Sequence, residues 1–211
     1  PLIAFALLGM VWWAMGELSE EWSLTAAGVL VICLGLIPWV NQTTAGLALV
    51  TIPVYGAALV GFKAKATWDT QQITGFVRYN DHLLSVIPRL AIPLAAGGII
   101  ALGALPWYLQ VLPGTGLLNY PGPFMYLSPW NDSSWVQVAL ALPLGAYIIW
   151  RAKPPWLRAL GVLILLLAAL LPWLSTDETV INIFYRSRYL LAMPWFVAIS
   201  WCVFSRWLPS M

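Results

Sequence analysis

Long apolar runs, at residues 1–16, 23–40, 44–62, 90–112, 135–150, 157–174 and 189–205, take up most of this chain, and its charges collect between them. A spanning helix needs ~20 mostly apolar residues. The runs therefore predict an all-α, polytopic membrane protein with about seven transmembrane helices, or six if the first run does not cross. Composition closes the alternative. Only 9% of the residues are charged and 61% are hydrophobic, where a soluble domain carries about 25% charged residues. A water-soluble fold of this length could not cover its surface with so few charges. Gly97 and Gly98 and the prolines Pro53, Pro93 and Pro143 interrupt several runs, which lipid tolerates because neighbouring helices re-satisfy the freed carbonyls. The opening Pro1 is expected to follow a removed initiator Met, and no signal peptide is expected.

Orientation follows from the basic residues. With the N-terminus outside, Lys63, Lys65, Arg78, Arg89, Arg151, Lys153, Arg158 and Arg206 all fall on the inner side, and only Arg186 and Arg188 fall outside. The positive-inside rule selects that arrangement, with the C-terminus cytoplasmic. Short loops and a clear charge bias make a bacterial inner membrane the expected location. Lys63, Lys65, Arg151, Lys153 and Arg206 then act as inner-face anchors.

Helix ends repeat a pattern. Ile37-Pro38-Trp39, Leu105-Pro106-Trp107 and Leu171-Pro172-Trp173 share one motif and fall on the outer side, and the helix after each ends in basic residues. This suggests three helical hairpins after a first helix, although Pro ends helices and Trp favours interfaces in any case. Two connections stand out. Trp68, Ile73, Phe76, Val77, Leu83, Leu84 and Ile87 recur near helical spacing and predict an amphipathic interfacial helix near 67–87, ended by Pro88. Residues 113–134 form an outer loop rich in Pro, Gly and aromatics. Most of the 14 tryptophans fall at run ends, where an indole N–H reaches water or headgroups. Trp12, Trp13, Trp195 and Trp201 sit deeper in their runs.

Few residues invite chemistry. His82 is the single histidine; it could supply one axial ligand to a haem or pigment, but beside Asp81 it reads more simply as an interfacial side chain. Cys33 and Cys202 lie in apolar runs without partners, so neither a disulfide nor a zinc site is expected, and no cofactor is. Every Asp, Glu, Lys and Arg lies at or beyond a run end, which argues against a proton path through the spans. Glu17, Glu20 and Glu21 share a helical face and could pair as acid and base, or simply form a solvated turn. Asn41-Gln42-Thr43 and Asn131-Asp132-Ser133 match the glycosylation triplet, a pattern common by chance. The net charge of +2 gives no basic stripe for nucleic acid.

The sharpest polar group is Tyr185-Arg186-Ser187-Arg188-Tyr189. Arginine presents a planar fork that fits phosphate, so Arg186, Arg188 and Tyr189 either anchor the chain among headgroups or clamp a lipid phosphate. The run Arg188-Tyr189-Leu190-Leu191-Ala192-Met193-Pro194 resembles the start of a late helix in polyprenol-dependent membrane glycosyltransferases of the GT-C type. That resemblance implies transfer from a lipid-linked donor and an acidic catalytic residue in the first outer loop. The topology instead puts Glu17, Glu20 and Glu21 inside and leaves Asp132, Asp177 and Glu178 outside.

Three functional classes follow. The first is a non-catalytic subunit of a larger inner-membrane complex, whose partners are membrane lipids and other protein subunits. The second is a lipid-linked glycosyl transferase that uses Arg186 and Arg188. The third is a transporter or channel component, suggested by the hairpin repeat and interrupted spans.

Overall fold

The structure is a computed structural model that describes residues 2–71, 77–107, 109 and 134–174. All elements among these are helices: α1 Leu2–Glu20, α2 Leu24–Val40, α3 Gln42–Gln71, α4 Val77–Leu102, α5 Ser134–Arg151 and α6 Pro155–Leu174. They belong to two compact units, Pro1–Leu117 and Leu118–Met211. Three segments are long and apolar enough to cross a membrane, Ile3–Glu20 in α1, Thr44–Ala66 in α3 and Val86–Trp107, which begins in α4 and ends past it, while Leu24–Val40, Ala139–Arg151 and Pro155–Ala169 are shorter apolar helices. The last apolar run, 189–205, and the 113–133 part of the outer loop lie outside the described residues.

Local chemistry sets the helix boundaries. Ser23 opens α2, its Oγ accepting from Ala26 N at 3.3 Å. Asn41 does two jobs at once. Its backbone N–H donates to Ile37 O at 3.0 Å and closes α2, while its Oδ1 accepts from Thr44 N at 2.9 Å and Thr44 Oγ1 at 3.1 Å and opens α3. One residue therefore satisfies groups at both helix ends, and the Asn41 side chain of the first glycosylation triplet is spent on this cap.

Proline does not stop these helices. Pro38, Pro53, Pro88, Pro93 and Pro143 all lie inside them. Pro88 was expected to end an interfacial helix; instead α4 runs through it. The residues of that expected helix divide between two longer ones, 67–71 closing α3 and 77–87 opening α4. The reason is that a proline removes only its own i−4 bond, whereas ending a helix would leave several backbone groups unpaired.

The first run is one of the two shortest, yet α1 is the core of the first unit. Of its candidate span 56% is buried, against 33% for the one in α3 and 22% for the one in α4. Ala4, Leu8, Val11, Met15 and Leu18 are buried at alternating steps of four and three, and Phe5, Trp12 and Ser19 lie alongside. Ile3, Met10 and Trp13 are exposed on the other side. Trp12 and Trp13 thus part company: Trp12 packs inward, its ring centroid 6.5 Å from that of Tyr55, and Trp13 faces out.

Helix pairing departs from successive hairpins. In the first unit α2 packs chiefly on α1 and α4, and only lightly on α3, its neighbour in sequence. Glycine makes the α2–α4 contact close. A Cβ on Gly35 would lie 2.7 Å from Ile100 Cγ2, and one on Gly97 would lie 3.1 Å from Leu34 Cβ and 3.2 Å from Val31 O. In the second unit α5 and α6 form a tight hairpin, where Gly145 and Gly161 each place the missing Cβ 3.0 Å from the other's carbonyl oxygen. Small residues at helix crossings are the usual means of close approach in lipid.

These contacts make a direct prediction. Gly97→Leu should overpack the α2–α4 crossing and cost about 1–3 kcal/mol, read as a lower melting temperature of the detergent-solubilised protein. Gly28→Ala is the control. Its Cβ meets nothing within 4 Å, so it should hold or raise the melting temperature, as Ala is favoured over Gly in helices by about 1 kcal/mol.

Candidate functional site

The ends of the first unit differ in chemistry. At one end α1 finishes at Glu20, and its carboxylate Oε2 pairs with Lys63 Nζ of α3 at 2.6 Å. Arg89 of α4 donates from Nη1 to the Glu20 carbonyl oxygen at 3.3 Å. One residue at the end of α1 thus ties down α3 and α4. Lys65 is exposed and makes no ion pair among the described residues. At the opposite end, Trp39 and Trp107 are exposed, and Trp39 approaches Gly103 of the turn that follows α4. Described basic residues thus collect at one end of this unit and Trp39 and Trp107 at the other.

Between α3 and α4 lies an open cleft of about 1220 Å³, completed by Met15 of α1 and by Leu34, Ile37 and Pro38 of α2. Gly56, Val60 and Gly61 line it from α3, and Leu94, Ala95 and Gly98 from α4. Every lining residue is Gly, Ala, Val, Leu, Ile, Met or Pro. Ligand pockets of about 300–1,000 Å³ usually combine apolar walls with a few polar groups that orient the ligand. This one is larger and its side chains provide no such group. It offers contact, not orientation.

Polar side chains buried in the helices serve the helices themselves. Ser19 Oγ donates to Gly16 O at 2.6 Å, and Thr51 Oγ1 donates to Leu47 O at 2.9 Å. Thr44 is held by Asn41. Trp12 Nε1 is buried without a hydrogen-bond partner among the described residues. Cys33 is buried, its Sγ 4.0 Å from Met10 Sδ. Among the described residues no group of three His, Cys, Asp or Glu could hold a metal.

The residues singled out from sequence fare unequally. Lys63 and Lys65 sit together at the charged end of α3. In the second unit Arg151 and Lys153 flank the α5–α6 turn, where the Arg151 guanidinium lies 4.8 Å from the Trp150 ring centre. Arg158 Nε donates to the Ala152 carbonyl in the same turn. Glu17, Glu20 and Glu21 are all exposed, and the pairing of Glu20 is with Lys63, not with another carboxylate. His82 falls in α4, but its side chain is not among those described. Arg186, Arg188, Tyr189 and Arg206 lie outside the described residues. Sequence reasoning missed the cleft altogether, because its walls are ordinary apolar residues brought together only by the packing of α3 away from α2. No family model matches the chain, and neither a curated protein nor a solved structure does.

The Glu20–Lys63 pair should behave as a modest helix clamp. A double-mutant cycle of Glu20→Gln and Lys63→Met, read by thermal unfolding in detergent, should give a coupling of about 0.2–1 kcal/mol that shrinks as salt is raised. A coupling of zero at low salt would remove the pair from the list of contacts that hold α1 to α3.

Proposed function

We propose that this chain is a non-catalytic integral membrane subunit of a larger inner-membrane assembly, acting through helix and lipid contacts. The observation that carries the reading is the all-apolar cleft, a surface suited to packing by another apolar body and without a side chain to position a reacting group. The outward faces agree. Ile3, Leu24, Ile32 and Ile92 are more than half exposed, an arrangement suited to hydrocarbon or to other membrane helices.

The finer topology belongs to the same proposal: about seven spans, the N-terminus outside and the C-terminus in the cytoplasm of a bacterium. The pairing of Glu20 with Lys63 and the grouping of Trp39 with Trp107 support it, since each pair falls on a single side of that topology. Both are also compatible with the inverse orientation, which the positive-inside count disfavours.

Two measurements test the proposal. Extracted gently from its native membrane, the protein should migrate in an assembly of fixed composition well above its own mass of 23.3 kDa. Migration alone or as a small homo-oligomer would end the subunit reading and turn attention to Arg186 and Arg188. For topology, an impermeant thiol reagent should modify Lys65→Cys only from the cytoplasmic side and Trp39→Cys only from outside. The reverse pattern would invert the protein in the membrane.

A further inference from the structure

The cleft and the charged end of the first unit adjoin, and their chemistry is complementary to one kind of molecule. Along α3 the lining residues come in pairs every four positions: Ala48–Leu49, Ile52–Pro53, Gly56–Ala57 and Val60–Gly61. The next pair in that series is Ala64–Lys65. Lys65 therefore continues the cleft-lining stripe one turn beyond Gly61, and it is exposed. The neighbouring cations are engaged elsewhere, Lys63 by the Glu20 carboxylate and Arg89 by the Glu20 carbonyl. The acids at the end of α1 turn away from the cleft, and Asp69 follows Lys65 by one turn of α3. Met15 is the residue by which α1 lines the cleft, and Glu17 and Glu21 are rotated from it by about 200° and 240° at 3.6 residues per turn. At the opposite end the described side chains supply Trp39 and Trp107 and no cation. A lysine at the membrane surface attracts anionic headgroups, and its apolar stem can lie along the wall while the ammonium reaches the interface.

We infer that the cleft holds an acyl chain of one anionic phospholipid, drawn from the leaflet at the Lys65 end, with the phosphate seated on Lys65. Apolar walls without a hydrogen-bonding side chain suit a hydrocarbon tail. From Ala45 to Gly61 the cleft runs about 24 Å along α3 at 1.5 Å per residue. One leaflet contributes about half of the ~30 Å hydrocarbon core, so the tail fills the Lys65-side part of the cleft. The cation at one end alone makes the site specific to one leaflet. This inference rests on the membrane-embedded reading above and adds to it a lipid class and a place.

The test uses the full chain in nanodiscs of equal phosphatidylglycerol and phosphatidylcholine, released into the gas phase for native mass spectrometry. The wild type should retain a lipid with phosphatidylglycerol preferred. Lys65→Gln should lower that preference about fivefold, the worth of one surface lysine. Gly61→Leu with Gly98→Leu should lose the retained lipid of both kinds. A Cβ at either glycine meets nothing within 4 Å, so the double variant fills the cleft without disturbing the fold, and an unchanged melting temperature checks this. Retention and preference equal to wild type in both variants would overturn the inference. So would a photo-crosslinker at Ala57 that joins to a protein in native membranes, since the occupant would then be a partner helix. Alkaline extraction separates the two levels of the argument. A chain that stays in the membrane but shows no lipid preference defeats the lipid site alone, and a chain released by alkali defeats the membrane reading with it.

Discussion

In hydrocarbon there is no water to pair a backbone N–H or C=O, and each group left open costs several kcal/mol. That constraint shapes nearly every local feature seen in this chain. It explains why the candidate spans pass through Pro53, Pro88 and Pro93, each of which gives up one bond where a helix end would give up several. It explains the single-residue connection at Asn41, where backbone and side chain close one helix and open the next. It also explains Ser19 and Thr51, whose hydroxyls return to their own helix and ask nothing of the surroundings.

The same solvent removes the hydrophobic drive that assembles soluble cores, since lipid tails are as apolar as leucine. What remains is close packing, and glycine is how these helices achieve it. Gly35 and Gly97 let α2 and α4 approach until a single methyl would collide, and Gly145 and Gly161 do the same for α5 and α6. Where packing is instead loose, between α3 and the α2–α4 pair, the cleft opens. Tight crossing and open cleft are two results of one arrangement: α2 is committed to α1 and α4, and α3 is left to pack on α4 and on α1, where Tyr55 meets Trp12 and Lys63 meets Glu20.

Helical class and several helix positions were legible in the sequence because apolar length is a local signal. The runs at 135–150 and 157–174 differ from α5 and α6 by only a residue or two at any end, whereas the caps at Ser23 and Asn41 emerge from the structure. Pairing was not legible. The contact of Gly35 with Ile100 joins residues far apart in the chain, and nothing local distinguishes Gly35 from Gly28, which faces open space. The place of the first run in the packing was not legible for a related reason. Apolar length measures fitness to face lipid, whereas α1 is the most enclosed of the three candidate spans, and its signal is the buried stripe Ala4, Leu8, Val11, Met15 and Leu18. The Pro88 expectation failed because a proline rule drawn from water overstates the gain from ending a helix where water is absent.

The charged end and the cleft carry most of what the described structure says about function, and they do so through a division of labour among neighbouring residues. Lys63 and Arg89 are both drawn to Glu20 at the end of α1, so their charge is used to hold three helices together. Lys65, two positions along the same helix, points to the other side of α3 by the spacing of the lining pairs and has no such partner among the described residues. In a bilayer an exposed lysine beside an apolar cleft is not an idle surface charge. Its ammonium sits at headgroup level and the cleft below it admits a chain. An uncharged residue at 65 would leave a cleft that any tail could visit, and a lysine there gives the visit a preferred headgroup and a preferred leaflet. A cleft lined by apolar side chains can be selective in this way, through the headgroup held beside it.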